Sequence, residues 1–259
     1  MKALFIKCYG KLTVDMMIGS FIDMGVPPVY LQSKLKEAGL PENFIEKANR
    51  EAQISAHYFH IPPVGDKPLL LKEADLFKAW KEMCSRRAPE WEETGWKVFS
   101  PLTAGASDAV DDIAANVVDL RRIQVSEENL ISLYLFLASL EYLDVETLFT
   151  CPFSVTEGKT EAGRASAAIL TDAFSTVGNP VSVEDIHPFA AALLEGLSAA
   201  FMPMDGRFLV DRTAYGSSST EKPTGDNTMA AYLGYFTDRE EVIFSRRLKV
   251  FGMHSDLEL

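Results

Sequence analysis

Residues 3–26 read ALFIKCYGKLTVDMMIGSFIDMGV. The stretch opens with a short apolar run at residues 3–9, most simply a first strand. From Val14 to Met24 the apolar positions recur at helical spacing, and Gly25 before Pro27 and Pro28 is a stop signal. The same alternation continues along the chain. Residues 29–38 predict a second amphipathic helix closed by Gly39, and residues 52–61 alternate as a strand ended by Pro62 and Pro63. A helix is expected over 70–87, then an irregular connection, then a charged helix over 106–122. Ser126, Glu127, Glu128 and Asn129 read as the cap and acidic first turn of the apolar run from Leu130 to Leu143. That run is too short to span a bilayer and predicts a buried central helix. Strands are expected at 147–155, 207–215 and 241–251, helices at 162–174 and 186–201, and a surface loop at 216–227. The pattern predicts an α/β (or α+β) class, a mixed sheet with helices packed around it, with no internal repeat.

With 259 residues the chain reads as a single region over 1–259, with lobes of about 1–100 and 101–259 as the finer division. Lys plus Arg total 25 against 37 Asp plus Glu, a net charge of -12 that repels phosphate backbones and argues against nucleic-acid binding. Cys8, Cys84 and Cys151 are scattered and odd in number, which points to reduced thiols in a cytoplasmic protein. No membrane or targeting segment stands out.

Generic motifs declare no reaction. His57, His60, His187 and His254 fit no metal-ligand spacing, and on a strand His57 and His60 point to opposite faces, a structural pair. No phosphate-binding loop and no nucleophile elbow occurs. Four residues keep two readings each. Asp15 is a helix-start acid or faces a pocket. Cys8 is a small core residue or a soft metal ligand. His187, just before Pro188, belongs to a helix cap or binds a metal. Asn227 orders the preceding loop or touches a ligand.

Order and spacing over several segments say more. Cys8, Asp15, Met16, Gly19, Asp23, Gly25 and Val26 fall in register with a family's opening motif. Leu140–Leu143, Cys151–Val155 with Gly158, Ile186–Ala191, and Tyr215–Gly216 with Asn227 and Leu233–Gly234 echo its later segments. In these the chain resembles the LarC family, nickel-insertion proteins that complete the nickel-pincer nucleotide cofactor. The resemblance implies a fold like the N-terminal half of those proteins and a role in maturing that cofactor. If catalytic, the chain would be a nickel-insertion lyase of the metal-chelatase type. It makes Asp15 and Asn227 candidate cofactor-binding residues, and Cys8 and His187 candidate metal ligands. No other cofactor is evident.

The departures shape the remaining expectations. Lys7 stands where the motif has an acid, and Lys11 and Val14 stand where it has glycines. Leu120–Ile123 replaces a histidine-bearing segment, and the family's C-terminal nucleotide-using domain is expected to be absent. The alternative is therefore a non-catalytic relative that binds a small molecule or protein, its metal site lost. Lys7 and Asp15 are expected to form an ion pair, and the isolated chain to hold nickel weakly. A separately encoded C-terminal domain or a second copy is the expected partner.

Overall fold

The structure is a computed structural model that describes residues 1–49, 55–63, 65, 67–85, 88–109, 118–154, 158–173, 179–204, 207–218, 224 and 227–236. The elements run β1 (Lys2–Cys8), α1 (Val14–Asp23), α2 (Pro28–Ala38), β2 (Ile45–Asn49), β3 (Ala56–His60), α3 (Glu73–Ser85) and α4 (Trp91–Asp108). They continue with α5 (Glu127–Tyr142), β4 (Thr147–Thr150), β5 (Phe153–Ser154), α6 (Glu161–Ile169) and β6 (Asn179–Pro180). The chain then forms α7 (Pro188–Leu197), β7 (Ser198–Phe201), β8 (Phe208–Ser217) and β9 (Thr228–Phe236). Among the described residues, seven strands make one mixed sheet in the order β2-β3-β8-β9-β1-β4-β7, and β5 pairs with β6 apart from it. β1 lies parallel to β4 and antiparallel to β9. This is the expected α/β arrangement, helices packed around a mixed sheet.

The pleat of β1 divides the molecule. Leu4, Ile6 and Cys8 enter the main core, while Ala3 and Phe5 join Phe149, Cys151 and Phe208 in a smaller cluster on the other face. Lys7 shares that second face, its ammonium 5.1 Å from the centre of the Tyr9 ring. The expected Lys7–Asp15 ion pair does not form, because α1 packs on the opposite face. Lys7 and Asp15 flank the same strand-to-helix connection in sequence, yet the sheet separates them.

At the centre of the main core lies α5. Every residue from Leu130 to Leu140 is buried, and Phe136 packs on Phe21 of α1. Its start carries a capping box: the Ser126 backbone N–H donates to Asn129 Oδ1 at 2.9 Å. The expected helix starts and stops also hold for α1 and α2. Thr13 caps α1, Gly25 follows it at φ 112°, and Gly39 ends α2 at φ 70°.

Several boundaries differ from expectation. The connection after α3 is itself helical: α4 buries Trp91 and Phe99 against Tyr134, Trp80 and Phe189, an apolar stripe hidden among Glu92, Glu93 and Lys97. Of the helix expected over 106–122, residues 106–108 finish α4, 120–123 form one 3-10 turn, and 110–117 lie outside the described residues. The helix expected over 186–201 stops at Leu197, where Ser198–Phe201 pair with β4 instead. Gly216 and Ser217, read as surface loop, end β8 inside the fold, with Ser217 fully buried. No sequence pattern predicts β2, β6 or β9, and the strand expected at 241–251 lies outside the described residues, as does His254. Among the described residues no helix is long and apolar enough to cross a membrane.

A second pairing ties β3 to α1. His57 Nε2 lies 3.0 Å from Glu46 of β2, and its Nδ1 lies 3.9 Å from Asp23, whose other oxygen accepts the Tyr215 backbone N–H at 3.0 Å. The neighbouring carboxylate of Asp23, with Glu46 adding to it, holds the imidazole above its usual range despite partial burial. A raised histidine pKa stabilises the fold fully below the unfolded value, near pH 6.5, and the contribution fades as pH rises through the folded value. His57→Gln should therefore lower the melting temperature relative to the parent more at pH 6 than at pH 9. Thermal unfolding at both values checks this, and an equal gap would show that the charged pair contributes nothing.

Candidate functional site

A cleft of about 600 Å³ opens at the N-terminal end of α1. Its position follows from the chain's first turn. β1 ends at Cys8, and the connection to α1 is held from the far side of the sequence: Leu12 N–H donates to Asp185 at 2.9 Å, and His187 N–H donates to Leu12 at 3.0 Å. Thr13 then starts the helix, its hydroxyl accepting the Met16 N–H at 3.2 Å. The crevice beyond the carboxyl ends of strands is where open α/β sheets bind ligands. The starts of α1, α5 and α7 all meet this cleft, through Asp15, Glu128 and His187.

Asp15 stands in the second position of α1 and is held by two other elements. Ser132 of α5 donates to its Oδ1 at 2.6 Å, and His60, at the end of β3, bonds its Oδ2 through Nδ1 at 3.1 Å. The His60 ring is 43% exposed, facing the cleft. Its pKa is raised, first by the hydrogen bond it makes to Asp15, which outweighs partial burial, with further help from the Glu128 charge. Glu128 also lines the cleft, and its Oε2 is buried with no hydrogen-bond partner. Lys11 and Lys67 supply positive charge on the walls.

The other sequence candidates separate. His187 lines the cleft, but its Nδ1 accepts the Phe189 N–H at 3.2 Å as the cap of α7, and the ring also hydrogen-bonds the Gln124 backbone. Burial pushes its pKa down to about 4, so it serves the cap as a neutral ring. Cys8 lies in the main core, its Sγ donating to the Gly10 carbonyl at 3.0 Å, and burial raises its thiol pKa. Asn227 orders its loop: Oδ1 accepts the Thr224 N–H at 2.7 Å, and its carbonyl accepts from Ser218 at 2.9 Å. It thereby holds Ser218, which does line the cleft. The sequence reading missed His60, Ser132 and Glu128 as site residues. The one local signal for His60 is its place at a strand end before two prolines. Nothing in spacing joins it to Asp15, 45 residues away.

The profile of a family described as "nickel insertion protein" matches residues 4–251. The chain belongs to the nickel insertion protein family. A member from Geotalea daltonii is 25% identical over 94% of this chain and 64% of its own length. A second, from Synechococcus sp. (strain JA-3-3Ab), is 24% identical over 86% of this chain and 58% of its own. A Thermotoga sp. (strain RQ2) relative, the pyridinium-3,5-bisthiocarboxylic acid mononucleotide nickel insertion protein, is 24% identical over 93% of this chain and 63% of its own. The chain thus spans about three fifths of the length of these curated relatives. No solved structure matches it significantly. Within this nickel insertion protein family member, Asp15 and Asp23 of the opening motif hold the two ends of one helix, and only Asp15 faces the cleft.

Proposed function

We propose that the chain acts in nickel insertion, holding the organic mononucleotide in the cleft at the start of α1 while nickel enters as cargo. The observation that carries the reading is Asp15, a motif carboxylate set in a cleft of ligand size and clamped by Ser132 and His60. The mononucleotide named for the Thermotoga relative has an anionic phosphate and two thiocarboxylic groups. Lys11, Lys67 and the positive ends of the helix dipoles suit the anions. The sulfur groups bring soft metal donors with the substrate, so the protein need not supply a full cage.

The place of Lys7 supports this reading over a non-catalytic relative. A cation beside Asp15 would oppose a divalent metal, but Lys7 lies across the sheet and leaves the cleft's charge unchanged. The reading includes a cytoplasmic setting and a partner, either a separately encoded C-terminal region or a second copy.

The test incubates the full chain with nickel(II) and the pyridinium bisthiocarboxylic acid mononucleotide, then measures protein-retained nickel and metallated nucleotide. Retention should depend on the nucleotide, with little nickel kept by the chain alone. Asp15→Asn should lower it at least about tenfold, the usual result of loosening the support of a metal-facing group. Absence of nucleotide-dependent retention in the parent chain would favour the non-catalytic alternative.

A further inference from the structure

We infer that the nickel-contacting group of this chain is His60, through Nε2, and that Asp15 is its positioning residue. The inference rests on the reading of the cleft above and assigns roles within it. Both oxygens of Asp15 are already engaged, Oδ1 by the Ser132 hydroxyl at 2.6 Å and Oδ2 by His60 Nδ1 at 3.1 Å. Each oxygen keeps a second lone pair, but the carboxylate is already committed to orienting two protein partners. His60 is in the reverse position. A carboxylate only accepts, so Nδ1 carries the hydrogen of that bond, and in the neutral ring Nε2 keeps the lone pair. Among the described residues nothing hydrogen-bonds Nε2, and the ring faces the cleft.

A histidine held through one nitrogen by a carboxylate, the other nitrogen open, is the usual support of a metal-binding imidazole. Ser132 extends the support, fixing Asp15 from the central buried helix, so the ring's direction is set by the core. Glu128 adds a negative group near the ring, and its buried, unpartnered Oε2 is a charge that an incoming cation would compensate. Among the described residues no group of three His, Cys, Asp or Glu side chains is placed to hold a metal ion. One imidazole fits that finding, because the remaining donors would come from the sulfur groups of the bound nucleotide. Nickel suits such a mixed set, since imidazole is among its good ligands.

The experiment compares variants of the full chain, with nickel(II) and the same mononucleotide as probes and with metal retention and nucleotide binding measured separately. His60→Gln should reduce nucleotide-dependent nickel retention to background while the metal-free nucleotide still binds. In His60→Gly, added imidazole should restore retention, which a merely structural role would not allow. Asp15→Asn should weaken retention by about ten- to a hundredfold, because the ligand remains but loses its orientation. The inference is overturned if His60→Gln retains nickel like the parent chain, if Asp15→Asn is the more severe change, or if imidazole restores nothing. Failure of the parent chain to show nucleotide-dependent retention would instead remove the underlying reading, and this inference with it.

Discussion

Leu133→Asp abolishes soluble expression, or leaves a fraction destabilised by well over about 2 kcal/mol. Leu133 is wholly inaccessible to solvent near the middle of α5, with buried neighbours on every side. A helix buried all round cannot turn a new charge toward water, as an amphipathic surface helix could. The carboxylate would either stay ionised without a partner or take up a proton and still lack hydrogen bonds. α5 also carries Ser132, so its displacement would release Asp15 and open the site. Tyr142→Asp, at the half-exposed end of the same helix where the ring rests on Tyr30, is the comparison and should cost much less. Soluble yield and thermal unfolding of the two variants decide the matter. A Leu133→Asp protein that melts like the parent would place this helix at an edge of the fold.

The second large effect is expected at Gly216. A Cβ built there would lie 1.8 Å from the Met16 carbonyl oxygen and 3.1 Å from the Ser20 nitrogen, both backbone atoms of α1. No side-chain rotation relieves such a clash, so helix and strand must part. Gly216→Ala should cost about 3 kcal/mol, at the upper end for overpacking. Since Ser217 and Ser218 follow directly and line the cleft, nucleotide binding should weaken as well. Denaturant unfolding measures the first effect and calorimetric titration the second. A variant of parental stability would mean that α1 does not rest on β8 this closely.

That close approach explains why the region around Gly216 misled the sequence reading. Small polar residues from Gly216 onward look like a solvent-exposed connection. Gly216, however, is small because a helix backbone passes over it. β9 escaped notice for a related reason: Thr228–Phe236 is central and buried, so it lacks the polar alternation that marks a half-exposed strand. α4 was obscured by its charged residues, although its buried stripe holds Trp91 and Phe99.

What the sequence determined by itself was local or carried by ordered motifs. The period of residues 14–24, the Gly25 and Gly39 stops, the Ser126 cap and the apolar length of 130–143 each act within a few residues, and each appears in the fold. The register of Cys8, Asp15, Gly19 and Asp23, taken with the order of the later segments, indicated the family. Only the tertiary structure decided the site. Asp15 meets His60 from 45 residues away and Ser132 from 117, through a strand order that no local pattern encodes. It also decided that Lys7, eight residues before Asp15, belongs to another surface. Pleat direction assigns each side chain to a face, but which helix covers that face depends on how all the layers pack.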